Sequence, residues 1–234
     1  MPEDLLRAYD PFDIFDAEAA RLDRFFSGLD EEGWRRPSRA AGWTVRDVLG
    51  HLAGEELYNQ ACLDGALDDL RRLMEAEGIG DYNEFNEWCV RRRRSLPVDE
   101  VLQEWRDKNG DTRRRMRELG RDTLMETMAG PYPVGKQVFH YDSEYATHAD
   151  DVGAPVPEDE SDARTFWRVA VGRFALAEQD TSVQVEQTAE QIWVHAGDAE
   201  ATLPYSEFVE ATVGRLPEDY GLSPRLVSAL RCLA

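Results

Sequence analysis

Hydrophobic positions recur at helical spacing through the first two thirds of the chain. Apolar residues stand three or four apart in segments that begin at Pro11, Val45 and Val98, and this period puts them on one face of an α-helix. Pro11 suits a first turn, where its missing N–H leaves no bond unmade. Thr44 and Asp47 have the spacing of a capping box, so the second helix is predicted to start there.

A fourth helical segment, residues 139–152, follows a turn-rich connection over residues 130–133. The pattern then changes. The acidic run from Glu158 to Asp162 is predicted to be a linker, followed by a helix from about Ala163 to Gln179. Short alternating segments follow, as in half-buried strands, at Ser182–Val185, Gln191–His195 and Glu200–Leu203.

The predicted fold class is therefore α+β. Residues 1–157 are expected to form a four-helix bundle, and residues 158–234 a small C-terminal α/β domain with an antiparallel sheet. Helices around Ser206–Arg215 and Pro224–Leu233 are expected to cover one face of that sheet.

Charge narrows the range of partners. The chain has 47 acidic and 27 basic residues, a net charge of −20, and this charge repels nucleic-acid phosphates and anionic membrane surfaces. Two basic runs, Arg91–Arg94 and Arg113–Arg115, are interpreted as solvated helix faces. No nucleic-acid or membrane partner is expected, and the oligomeric state is left open.

The cysteines predict a reducing compartment. Cys62, Cys89 and Cys232 are odd in number and widely spaced, which suggests neither a disulfide framework nor a thiolate metal cluster. The N-terminus lacks the apolar region of a secretion signal. We expect a cytoplasmic protein with free thiols.

Three residues have the chemistry of a metal site. Glu144 and His148 stand four apart in a predicted helix, so their side chains share one face with Cβ atoms roughly 6 Å apart. His51 lies near the buried side of another helix, with Glu55 one turn beyond it as a supporting group or extra ligand. Two imidazoles and one carboxylate leave a coordination position open. The ordinary alternatives are a solvated surface pair and a hydrogen-bonded core histidine.

One further helix has polar positions in its apolar seam. Asn109 and Thr112 interrupt the hydrophobic rhythm of the segment that begins at Val98. Either this face borders a polar cavity or it lies at a solvated edge of the protein.

Two stretches resemble a known family. The segment from Gly42 to Leu52, GWTVRDVLGHL, is similar to the second-helix signature of DinB-like four-helix bundles. Together with Glu144, His148 and Asp151, it resembles the mycothiol-dependent maleylpyruvate isomerase group. The resemblance covers most of the chain loosely and is specific for the fold rather than for a reaction.

The resemblance implies the site residues and cofactors. It implies that His51, Glu144 and His148 bind a divalent metal, with zinc as the first expectation. It also implies a small domain after the bundle, ending in a helix with a Gly–Arg pair, a place that Gly214 and Arg215 fit. Arg215 is then the expected catalytic and cofactor-binding residue, clamping a carboxylate of substrate or cofactor; otherwise it is a charge partner at a helix C-terminus.

Three functions remain open from the sequence. The first is an enzyme in which the metal activates a low-molecular-weight thiol, mycothiol, for S-transfer to a small electrophile or for its cis–trans isomerisation. The second is a metal-dependent hydrolase, with Glu55 or Asp151 accepting a proton from water. The third is a non-catalytic metal-binding protein.

Overall fold

The structure of the protein, a computed structural model, describes residues 2–179 and 183–233. Its contacts divide the chain into two compact units. One unit is Pro11–Pro155. The other combines the residues up to Asp10 with those from Val156 onward. The domain limits 1–157 and 158–234 stay a prediction.

The unit Pro11–Pro155 contains seven helices and a β-hairpin among its described residues. In chain order they are α1 Pro11–Ser27, α2 Glu31–Arg35, α3 Val45–Asp64, α4 Leu67–Glu77, α5 Tyr82–Arg93, α6 Val98–Leu119, β1 Leu124–Thr127, β2 Gly130–Pro133 and α7 Val134–Val152.

The start of α3 is fixed by the predicted capping box. The Thr44 hydroxyl accepts from the Asp47 amide at 3.2 Å, and the Asp47 carboxylate accepts from the Thr44 amide at 3.0 Å. Both bonds satisfy amides that the first turn of a helix leaves unpaired. This part of the sequence-based prediction is confirmed.

The four long helices of this unit pack on one another, α1 against α7 and α3 against α6. Large aromatic side chains fill the space between them. Phe15 and Tyr145 meet edge to face with ring centroids 4.9 Å apart, and the Trp105 indole donates to the Tyr145 hydroxyl at 3.0 Å. Each of these rings is almost fully buried, so their packing fixes how α1, α6 and α7 meet.

The turn-rich segment contains a strand that the sequence did not predict. Residues Gly130–Pro133 pair antiparallel with Leu124–Thr127. Pro131 and Pro133 hid this strand, since proline cannot donate to a ladder and is tolerated only at an edge or an end. In a two-stranded ribbon both strands are edges, so the prolines fit.

The unit from Val156 onward contains α8 Glu158–Glu178, β3 Gln184–Gln187, β4 Gln191–Ala196, β5 Ala199–Pro204, α9 Tyr205–Thr212 and α10 Pro224–Leu230. A short 3-10 helix, Pro2–Leu6, packs on α8. The three strands form an antiparallel sheet in the order β3, β4, β5, which confirms the predicted α+β class. Ser182, predicted to begin the first strand, lies outside the described residues.

The predicted acidic linker is wrong. Glu158 to Asp162 belong to α8, with Glu158, Asp159 and Glu160 in its first turn. Carboxylates are favourable there because the N-terminal end of a helix carries partial positive charge. The charge run therefore begins a helix rather than interrupting the chain.

Several arginines of the two basic runs form ion pairs within the fold, which the predicted solvated helix faces did not include. Arg93 is buried and pairs with Glu104 at 2.7 Å. Arg94 pairs with Asp47, and Arg115 with Asp64. These contacts use the guanidinium groups within the fold.

Among the described residues, no helix has the length and apolar character needed to cross a membrane.

Candidate metal centre

The structure brings His51, Glu144 and His148 together. His51 lies on α3, and Glu144 and His148 lie one turn apart on α7. One ligand atom from each residue lies within 4.8 Å of the others. The Glu144 Oε1 is 2.9 Å from the His51 Nε2 and 3.9 Å from the His148 Nε2. The three residues that the sequence singled out therefore form one compact group.

The electrostatics of this group suit a cation. His51 is 1% exposed, and burial lowers its pKa, which favours the neutral imidazole that binds metals. Burial also acts to raise the pKa of Glu144, but the hydrogen bond from His51 and the nearby imidazoles lower it further, to about 2. The site thus presents neutral imidazole and an anionic carboxylate.

Asp151 orients His148. The His148 Nδ1 is 3.1 Å from the Asp151 Oδ2, and the Asp151 side chain is fully buried. A carboxylate on Nδ1 holds the proton on that nitrogen and leaves the Nε2 lone pair available on the side of Glu144. The backbone carbonyl of Asp151 accepts from the Arg39 amide at 2.9 Å, which ties the end of α7 to the loop before α3.

Trp43 covers the two imidazoles. Its ring centroid lies 5.0 Å from that of His51 and 6.2 Å from that of His148. The indole N–H donates to Glu87 of α5 at 2.7 Å. Trp43, which belongs to the GWTVRDVLGHL segment, therefore lies against both histidines. In the sequence, the signal for this placement was that Trp43 directly precedes Thr44, the N-cap of the helix that carries His51.

The donor set fits a divalent metal such as zinc. A tetrahedral site with bonds of about 2.1 Å has ligand atoms roughly 3.4 Å apart, a value that lies between the 2.9 and 3.9 Å distances that Glu144 makes. The buried His51 Nδ1 has no hydrogen-bond partner among the described residues.

Glu55 lies directly beside the site. It is 1% exposed and hydrogen-bonded to Glu144. Burial, and then the negative charge of Glu144, raise the pKa of Glu55 well above its usual value. This shift favours the protonated form of Glu55 beside the ionised Glu144. This contact corresponds to the supporting position predicted for Glu55.

Asn109 and Thr112 belong to a different polar cluster. Both are buried, and they donate to the neighbouring carboxylate Glu56 at 3.0 and 2.5 Å. Tyr145 adds a third contact to Glu56 at 3.4 Å. This face of α6 is thus neither an open cavity nor a solvated edge. Its polar residues bind a carboxyl group that the sequence analysis did not identify.

Arg215 follows α9 and belongs to the unit that begins at Val156. Its amide donates to the Glu210 carbonyl at 2.8 Å, and its Nη1 donates to the Val213 carbonyl at 3.4 Å. These contacts fix the chain around Arg215. Its role as a carboxylate clamp stays a prediction.

Comparison with known proteins adds a family and a fold. Residues 15–153 match the family model described as "Mycothiol maleylpyruvate isomerase N-terminal domain". This range includes His51, Glu144 and His148. No curated protein matches the chain in sequence.

Two solved structures share the fold. One is a crystal structure of the mycothiol-dependent maleylpyruvate isomerase, with a TM-score of 0.59 and 14% sequence identity. The other is a histidine-to-alanine mutant of the mycothiol-dependent maleylpyruvate isomerase, with the same values. In each case the match covers 92% of this chain and 94% of the other. The predicted resemblance, and with it the prediction of an enzyme of this kind, is confirmed.

Proposed function

Because the chain belongs to the mycothiol maleylpyruvate isomerase N-terminal domain family, we propose that it is a metal-dependent enzyme that activates a low-molecular-weight thiol. The expected thiol is mycothiol, and the expected metal is zinc. The observation that carries the proposal is the convergence of His51, Glu144 and His148 within 4.8 Å. Three protein ligands of this type leave one position for an exogenous group.

When bound, the metal supplies a positive charge that favours the thiolate, the nucleophilic form of a thiol. The protein supplies the surroundings. Glu144 provides the negative charge of the ligand set, Asp151 orients the His148 ring, and Trp43 shields both imidazoles from water. Glu55 lies beside Glu144, and its pKa is raised well above its usual value.

The chemistry of the thiolate allows two outcomes. Its addition to an electrophilic carbon forms a carbon–sulfur bond and gives an S-conjugate after protonation. If the adduct instead rotates about the former double bond and expels the thiolate, the product is the trans isomer and the thiol is regenerated. Arg215 is proposed to hold a carboxylate of the substrate or thiol, because its paired donors match two oxygens.

The sulfur must come from outside the chain. Burial raises the pKa of Cys89 to about 11 and that of Cys232 to about 12. Cys62 is also buried, and its pKa is raised. None of the three belongs to the ligand group. Since all three are free thiols, we further infer a reducing, cytoplasmic location.

The hydrolase is the weaker alternative. It needs a group that accepts a proton from water. The two candidates are Glu55, whose raised pKa disfavours the ionised form that accepts a proton, and Asp151, which is engaged with His148. Both observations favour thiol activation over hydrolysis.

The test is turnover by metal-loaded protein, with and without added thiol, across a panel of unsaturated acids and activated esters. We expect turnover only with thiol, and its loss on chelation. Glu144→Gln should lower the rate strongly, since it removes the anionic ligand, whereas Glu126→Gln on the exposed face of β1 should not. Ester turnover at an equal rate without thiol would contradict the proposal and favour the hydrolase.

A further inference from the structure

The helices that carry the metal ligands continue past them with polar residues on the same faces. On α3, Glu55 and Asn59 follow His51 at steps of four residues; on α7, Tyr141 stands three residues before Glu144. Such spacings share one helix face. Because His51 and Glu55 both contact Glu144, the two faces lie opposite each other beside the metal centre.

Three oxygen atoms on these faces have no hydrogen-bond partner in the part of the chain that the structure describes. They are the Glu55 Oε2, the Asn59 Oδ1 and the Tyr141 hydroxyl. Their residues are 1%, 1% and 3% exposed. Buried polar atoms in folded proteins are nearly all hydrogen-bonded. Three exceptions on facing turns beside one candidate site indicate a partner that comes from outside the chain.

The orientation of Asn59 is fixed. Its side-chain amide lies beside the Glu56 carboxyl group and acts to lower the pKa of Glu56, as an N–H donor does. The oxygen of Asn59 is therefore the atom left over. It is an acceptor held in place by the satisfied cluster around Glu56.

The surroundings of Tyr141 are acidic and aromatic. The groups that act on its hydroxyl are Glu55, Tyr82, Tyr58 and Cys62, none of which is basic. Burial raises the pKa of Tyr141 well above its usual value. The hydroxyl stays protonated and available as a donor. Tyr82, one of these groups, is 45% exposed and packs edge to face on Tyr58.

The Asn59 acceptor and the Tyr141 donor together favour one kind of ligand group. A hydroxyl both donates and accepts, so it can donate to the Asn59 oxygen while it accepts from Tyr141. A carboxylate only accepts, and it would meet the negative charge of Glu144. An ammonium only donates, and would leave the Tyr141 proton without an acceptor.

We propose that Glu55, Asn59 and Tyr141 form a hydroxyl-binding subsite beside the metal centre, which recognises an uncharged hydroxyl group on the thiol cosubstrate. The proposal rests on the proposed function, because it takes the thiol sulfur to be at the metal. It adds what the rest of the thiol must carry.

The test uses cobalt-substituted protein and three thiols of matched length. They are 4-mercaptobutan-1-ol, 1-pentanethiol, in which a methyl replaces the hydroxyl, and 4-mercaptobutanoate. The thiolate-to-cobalt absorption band gives a Kd for each. We expect the alcohol to bind about tenfold more tightly than pentanethiol, the factor that one or two net hydrogen bonds provide. The carboxylate should bind most weakly.

Two variants locate the effect. Tyr141→Phe and Asn59→Leu should each reduce the alcohol-to-alkane preference by about fivefold. Tyr132→Phe, in β2 and hydrogen-bonded to His140, serves as the matched control and should retain the preference. If one variant fails to fold, the other still carries the comparison.

The outcomes separate the two proposals. Equal Kd values for alcohol and alkane, with clear absorption bands, would overturn the subsite and leave thiol activation standing. Retention of the preference in either folded variant would also overturn it. No band with any thiol would overturn the thiol chemistry and the subsite together.

Discussion

Two consecutive buried carboxyl groups on α3, Glu55 and Glu56, have opposite surroundings. Glu56 receives hydrogen bonds from Asn109, Thr112 and Tyr145. Glu55 is hydrogen-bonded to Glu144, and its Oε2 has no partner among the described residues. Both are 1% exposed or less. Burial alone therefore does not distinguish a structural carboxyl group from one at a site, but the completeness of its hydrogen bonding does.

The difference follows from which helix each residue faces. Glu56 faces α6, whose polar side chains donate hydrogen bonds to its carboxyl group. Glu55 faces α7 beside the ligand group, where the remaining partners of its carboxyl group are left to a ligand. We expect substitutions of Glu56 to lower the free energy of unfolding. We expect substitutions near Glu55 to change the affinity for metal or ligand.

The largest expected effect is the contrast between Glu56→Leu and Glu55→Leu in metal-free protein. Glu56→Leu leaves several buried donors unpaired and should lower the free energy of unfolding by about 3 kcal/mol. Glu55→Leu removes a buried group that is itself incompletely paired, so it should change this energy by less than about 1 kcal/mol. Urea unfolding of both variants measures the difference. Equal losses of unfolding free energy in the two variants would contradict the proposed difference between Glu56 and Glu55.

The next effect concerns Asp151, which belongs to the site although it is fully paired. Asp151→Asn keeps the shape but weakens the hold on the His148 ring, so metal affinity should fall about 10- to 100-fold. Competition with a chromophoric chelator measures this fall. Asp122→Asn, an exposed change after α6, is the control. Unchanged affinity in Asp151→Asn would show that the carboxylate does not orient the ligand.

The smallest effect concerns Asp47, a third carboxylate of α3 whose role is structural. Burial opposes its ionisation, but hydrogen bonds from Arg94 and Thr44 lower its pKa below the usual 3.8. A lowered folded-state pKa contributes stability above the unfolded-state value, and this contribution is lost as the pH falls towards the folded value. Asp47→Asn should therefore cost roughly 1 kcal/mol at pH 7.

The pH dependence checks the assignment. The gap between wild-type and Asp47→Asn unfolding midpoints should narrow as the pH drops through 3.8. A gap that stays constant from pH 7 to pH 3 would mean that ionisation of Asp47 contributes nothing.

Local signals in the sequence were enough to predict much of the fold and the ligand group. The Thr44–Asp47 box is a short-range motif, and helical spacing alone places Glu144 over His148. His51 was proposed as the third ligand from its place in another apolar helix. The family resemblance strengthened that choice, since no local rule relates residues 93 positions apart.

The remaining features depend on tertiary context. The partners of Glu56 come from α6, more than 50 positions away, so its satisfied state is invisible in sequence. The strand at Gly130–Pro133 was hidden by its prolines, and the first turn of α8 by an acidic composition that also suits a linker. The unpartnered oxygens of Asn59 and Tyr141 appear only when α3 and α7 are placed together.

We propose that His51, Glu144 and His148 together hold one divalent metal. The chain has four histidines, which provide matched variants. Elemental analysis of purified protein should give close to one equivalent of metal in the wild type and in His140→Ala and His195→Ala. His51→Ala and His148→Ala should lose most of it. Full occupancy in both of these variants would contradict the claim.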